Sequence, residues 1–154
     1  MTVPNRANTE LVAQAWLASL PFLNTGMVNP RLPEGIEKDT TAQANGFVTL
    51  MGTGGTPNMY VPERQPVVGL KAYGFPAPGS RKAPFNVANR LLENIIAATY
   101  DTASFNATLS LGNGYPTARV HSAHAISEIR PSYGDSAYWA VYTLDLQMYW
   151  VELP

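Results

Sequence analysis

The last third of the chain constrains the fold more than any other part. Over residues 137–151, Tyr138, Ala140, Tyr142, Leu144, Leu146, Met148 and Trp150 alternate with Trp139, Val141, Thr143, Asp145, Gln147, Tyr149 and Val151. Successive side chains of an extended strand point to opposite faces, so these are two faces of one strand. The first set is apolar and predicts a core face. The second keeps Trp139, Val141, Tyr149 and Val151, which need cover from loops or from a neighbouring subunit. At ~3.3 Å per residue such a strand approaches roughly 50 Å, far beyond the common five or six residues. The expectation is that it bends or overhangs its own domain.

Residues 118–130 form a second β-rich segment, and Pro131-Ser132-Tyr133-Gly134-Asp135-Ser136 between the two has the composition of a loop. The layout predicts a long antiparallel hairpin. With Arg130 opposite Ala137, Ala123 and Ala125 would face Leu144 and Tyr142, small against large. A slip of one residue would bring Val120 and Ile126 to that face instead, and both registers remain open.

The preceding elements are read from period and punctuation. Asn8 or Thr9 caps a helix with an apolar stripe of Leu11, Val12, Ala15 and Trp16, stopped by Pro21. Residues 24–45 show neither helix nor strand period and predict an exposed connection. Phe47 to Met51 is a strand running into the turn formers Gly52-Thr53-Gly54-Gly55-Thr56-Pro57. Between Pro66 and Gly74, Val68, Leu70 and Ala72 alternate with Val67, Gly69, Lys71 and Tyr73, a second strand. Pro84 suits a helix's first turn, and Val87, Ala88, Leu91, Leu92, Ile95 and Ala98 form the buried stripe of the main helix. Residues 101–116 are a long loop with Gly112-Asn113-Gly114 as its turn. Together these predict one α+β domain spanning 1–154. Its antiparallel or mixed sheet has about four strands, with two helices packed on one face and a long C-terminal hairpin.

Composition narrows the function classes. At 154 residues one core suffices. Charged residues make up 14% of the chain, against a usual share of about 25%. Three Trp, eight Tyr and five Phe then leave apolar area outside a single core, which predicts self-assembly. Ten basic against eleven acidic residues give no overall cationic field for phosphate backbones. No cysteine is present, so disulfides and thiolate metal sites are excluded. No apolar run approaches the ~20 residues of a membrane span, and the expectation is a soluble protein with no membrane partner.

Motifs for chemistry are sparse. His121 and His124 have odd spacing, which puts them on opposite strand faces unless a bulge intervenes, and further ligands are lacking nearby. The run Gly52 to Thr56 resembles a phosphate cradle only superficially, because no Gly-Lys-Ser/Thr follows. No nucleophile elbow or carboxylate pair is recognisable, so the expectation is no enzyme, no cofactor and no metal. Arg81-Lys82, with Lys71 and Arg90 near in sequence, is the one basic concentration; in a ring it would line the hole or a rim, against DNA passing through.

Gly46-Phe47-Val48-Thr49-Leu50-Met51-Gly52-Thr53-Gly54-Gly55-Thr56-Pro57 followed by Pro66-Val67-Val68-Gly69-Leu70-Lys71-Ala72-Tyr73-Gly74 resembles the opening strand pair of the tail terminator proteins of long-tailed bacteriophages. Residues 86–100 are similar to that family's core helix and 119–150 to its closing strands, so the likeness covers most of the chain after Gly46. The resemblance implies a hexameric ring assembled in the host cytoplasm. The ring sits in the virion at the head-tail junction, caps the tail tube protein, ends its polymerisation and offers a docking surface to the head-side connector. Two alternatives stay open: another neck or head-completion subunit, and a small-molecule-binding or catalytic α+β domain with its pocket between helix and sheet.

Overall fold

The structure is a computed structural model that describes residues 6–55, 62–132 and 138–154. Its helices are α1 (Thr9–Ser19), α2 (Thr40–Asn45) and α3 (Phe85–Thr99). Its strands are β1 (Val28–Asn29), β2 (Phe47–Gly55), β3 (Pro66–Gly74), β4 (Ala118–Ala125), β5 (Arg130–Ser132) and β6 (Ala140–Glu152). They form one six-stranded sheet in the order β1-β2-β3-β6-β4, with β5 also paired to β6. All pairings are antiparallel except β1 with β2. The fold is α+β, as expected, but with six strands in place of about four. The two additions are short, and neither has a periodic pattern long enough to read.

The long terminal strand does not overhang the domain. β6 lies in the middle of the sheet, with β3 along one edge and β4 and β5 sharing the other. Ala140, Leu144, Leu146, Met148 and Trp150 are buried on one face as the alternation requires, while Tyr142 is partly buried and Tyr138 is exposed. The length therefore serves to carry three partner strands.

Helices α1 and α3 pack on that same face. Asn8 caps α1 through its side-chain oxygen, which accepts from the Leu11 amide at 2.9 Å. The buried face of α1 is Val12, Ala13, Trp16 and Leu17; Leu11 and Ala15 are only half covered, so the helix is rotated slightly from the expected stripe. Trp16 anchors it: the indole N–H donates to the Ser104 carbonyl at 2.8 Å and the ring stacks on Phe105 at 5.7 Å. In α3, Ala88, Leu91, Leu92, Ile95 and Ala98 are buried and Val87 is half covered, and Pro84 stands at its N-cap. These side chains close one apolar core with Val48, Leu50, Val68, Leu70 and the inner residues of β6.

The connection 24–45 is not merely an exposed link. Met27 accepts the Val48 amide at 2.8 Å, and Val28 and Asn29 add a parallel strand beside Val48 and Thr49. A 3-10 turn (Ile36–Lys38) and α2, capped by Asp39, then cross to the opposite face of the sheet. There Ile36, Ala42, Phe47 and Phe75 form a second, smaller core with Leu32, Tyr73 and Trp139. Buried residues in this stretch are too widely spaced to show a period, which is why it read as solvent-exposed.

The terminal hairpin departs from both expected registers. Val120 pairs with Trp150, a bulge falls at His121, and Ser122 then pairs with Tyr149, Ala123 with Met148 and Ala125 with Leu146. The extra residue shifts the parity of the strand, so Val120 and Ala123 both join the inner core, whereas an uninterrupted strand would turn them to opposite faces. After Ala125 the chain leaves the ladder through residues 126–129 and rejoins β6 with Arg130 opposite Thr143. Ile126 is left exposed. The turn 52–57 also differs: Gly52 to Gly55 continue β2, and Thr56 and Pro57 lie outside the described residues.

Gly46, between α2 and β2, has φ +81°, and an added Cβ would come within 2.7 Å of Leu91 Cδ1 and 2.8 Å of the Tyr73 carbonyl oxygen. Gly46→Ala is expected to cost about 2–3 kcal/mol through left-handed backbone strain and overpacking. Urea denaturation should show a lower midpoint at unchanged slope.

Candidate functional site

The outer face of the sheet is only half covered, and the boundary follows rows of paired residues. Phe47, Tyr73, Val141 and Ser132 form one row across β2, β3, β6 and β5, under the second core. The next row is Thr49, Lys71, Thr143 and Arg130, and beyond it lie Met51, Gly69 and Asp145. These two rows floor an open groove of about 480 Å³, walled on one side by Pro30, Arg31 and Leu32 of the connection. Gly69 deepens it, since a Cβ there would meet Thr53 Cγ2 at 3.1 Å and Asp145 Oδ1 at 3.5 Å.

The groove carries three cations and one carboxylate: Arg31, Lys71, Arg130 and Asp145. Arg130 Nη2 lies 3.2 Å from Asp145 Oδ2, and Ser127 Oγ accepts from both Arg130 Nη1 and the Asp145 amide at 3.0 Å. That network fixes Arg130 at the rim. The side chains of Arg31 and Lys71 are exposed and make no hydrogen bond or ion pair among the described residues. Met51, 61% exposed, adds a flexible apolar side chain beside them. The single carboxylate is held by a guanidinium, and no histidine or second acid lines the groove. Such a set suits recognition of an anionic, partly apolar surface.

The four residues expected to form an interface do not share one surface. Val141 is 3% exposed and buried by its own chain, which corrects its assignment to a subunit contact. Trp139 is partly covered, edge-on to Phe75 at 5.0 Å and to Tyr73 at 6.4 Å. Tyr149 is partly covered and stacks on His124 at 6.0 Å, and Val151 pairs with Arg119. Eight residues along one strand, ~26 Å, separate Val141 from Tyr149. Trp139 packs on the second core, which Ile36 and Ala42 of the connection 24–45 help build, and Val141 lies in the same row as Tyr73 and Phe47.

Arg81 and Lys82 are exposed in the loop between β3 and α3, where the Lys82 amide donates to Ser80 Oγ at 3.3 Å. Lys71, grouped with them by sequence proximity, belongs to the groove instead. The bulge that a two-histidine site would need is present, yet the rings have separate partners. His121 Nδ1 lies 3.1 Å from Asn106 Oδ1 and its Nε2 lies 4.0 Å from Glu63, whereas His124 stacks on Tyr149. Among the described residues no three His, Asp or Glu side chains converge as metal ligands, and no helix is long and apolar enough to cross a membrane.

Arg31, Met51 and Arg130 were not singled out from sequence. Alternation does place Lys71 and Met51 outward, but only the strand register brings Thr143, Asp145 and Arg130 beside them. Comparison with family models and with curated proteins gives no match to this chain.

Lys71→Ala should leave stability within about 0.5 kcal/mol, because the side chain is exposed and holds nothing in place. Val141→Asp, which buries an unpaired carboxylate under the second core, should lower it by more than about 3 kcal/mol. Denaturant titration of the two variants separates surface from core on the same sheet face.

Proposed function

We propose that the chain is a ring-forming tail terminator subunit of a long-tailed bacteriophage. In this reading it acts by assembly: a hexameric ring seats on the last layer of tail tube protein, stops further addition and presents its other rim to the head-side connector. The observation that carries the reading is the state of β2. Its first four residues are buried, but its last five, Met51 to Gly55, are exposed on both faces while the ladder to β3 continues as far as Gly55 and Pro66.

β1 covers only Val48 and Thr49 of the β2 edge, so the backbone beyond them has no strand partner among the described residues. A strand edge of this kind, next to the half-open sheet face, is an invitation to another chain. Three glycines at Gly52, Gly54 and Gly55 let it bend toward a neighbour without presenting a flat apolar ribbon. The low charge of the chain and the element order, with two strands, a helix and closing strands after Gly46, support the same reading.

A rigid sheet, a projecting edge and loops at both ends are what a ring cap requires, since the sheet holds the subunit's shape while loops engage tube and neck. The basic loop Arg81-Lys82 is free of core contacts and suited to face the DNA path or a rim.

The test is electron microscopy of host lysates carrying a null mutant, with wild-type protein supplied in parallel. Overlong tails without heads are the expected outcome. Tails of normal length unattached to heads would instead assign a neck subunit, and normal virions would overturn both. An Arg81→Glu/Lys82→Glu variant should assemble normally but reduce DNA-filled particles; full infectivity would remove DNA contact from the role of this loop.

A further inference from the structure

We infer that two surfaces of the domain are the two halves of a head-to-tail contact between copies of this chain, with the sheet-face groove of one copy receiving the α3 shoulder of the next. The inference deepens the ring reading and rests on it for closure. The shoulder lies where α3 meets the turn after β4, around an open cleft of about 630 Å³. Its charged lining is Glu93 and Glu128, and its apolar lining includes Tyr100, 84% exposed, and Ile126, 49% exposed.

Charge complementarity identifies a second copy as the occupant. The groove's cations exceed its carboxylate by two, and the shoulder carries two carboxylates with no cation in its lining. Glu93 and Glu128 make no ion pair among the described residues, as is also true of Arg31 and Lys71. Apolar groups match as well: Met51 projects from the groove, and Tyr100 and Ile126 project from the shoulder. These are three of the five large apolar side chains left exposed among the described residues.

The two patches do not satisfy each other within one copy, since no ion pair among the described residues joins them. α3 packs on the inner face of the sheet, against the core of Leu70 and Leu144, whereas the groove opens on the outer face. The two patches thus lie on different sides of the sheet and share a border at Ser127, which lines the shoulder and also holds Arg130 and Asp145 at the groove rim. Groove on groove or shoulder on shoulder would bring like charges together, so the contact must set groove against shoulder. Made reciprocally, that contact gives a two-fold dimer; made head-to-tail and repeated by rotation, as the ring reading requires, it closes into a ring.

Because the chain has no cysteine, introduced thiols report contacts without background. Met51→Cys and Ile126→Cys proteins, both at exposed positions, are oxidised separately and mixed. The expected result is a disulfide-linked dimer in the mixture and little in either protein alone, and a ladder of multimers from the doubly substituted chain. Dimers from one variant alone, or a doubly substituted chain that stops at a cross-linked dimer, would show a two-fold contact and overturn the inference.

A second arm reverses charge. Lys71→Glu and Glu93→Lys should each weaken association about tenfold in low salt, measured by light scattering, and mixing or combining them should restore it. Oligomers that form without cross-linking or rescue would place the contact elsewhere and overturn the inference while leaving the ring reading intact. A protein that stays monomeric at all concentrations would also overturn it, and lysate microscopy would still decide the terminator role independently.

Discussion

The position of every other strand depends on β6. Its backbone is paired along both edges, to β3 on one side and to β4 and β5 on the other, so it has no free side at which to slip. Its inner face buries Leu144, Leu146, Met148 and Trp150, each contributing about 1.5–3 kcal/mol of apolar transfer. A shift of one residue would turn that whole set into solvent, which makes the register steep in energy. The same register decides what meets on the outer face, because Thr143 and Asp145 take Lys71, Gly69 and Arg130 as neighbours only in this alignment.

The two faces are finished differently, and that asymmetry is where function enters. The inner face is sealed by α1 and α3, with Trp16 pinned by both a hydrogen bond and a stacked ring. The outer face is sealed only as far as Leu32 and Tyr73, where the small core of Ile36, Ala42, Phe47 and Phe75 ends. Beyond that line lie a cationic groove and the uncovered half of β2. A sheet buried on one face and half open on the other has the rigidity to hold a binding surface in shape while leaving that surface accessible.

The bulge at His121 connects these themes. It lets β4 bury Val120 and Ala123 on the same side, so the strand contributes to the core at both ends. Further along, the chain leaves the ladder after Ala125 and re-enters at Arg130, which puts Ser127 between Arg130 and Asp145. Two irregularities along one edge thus shape the inner packing and the rim of the groove, consistent with the tendency of bulges to re-aim side chains at sheet edges.

Local periodicity carried most of the architecture. The helix stripe of Ala88, Leu91, Leu92 and Ile95, the alternation of Val68, Leu70 and Ala72, the cap at Asn8 and the apolar side of β6 are each set by residues within one or two turns of each other, so they are visible in a single stretch of text. The groove is not, because it needs residues near positions 31, 51, 71, 130 and 145 brought together by pairing across distant segments. For the same reason Val141 reads as an uncovered apolar residue along its own strand, although Ile36, Ala42 and Phe75 help build the lid over that end of the sheet. A strand's alternation says which way a side chain points; whether anything waits there depends on long-range register and cover, which no short window contains.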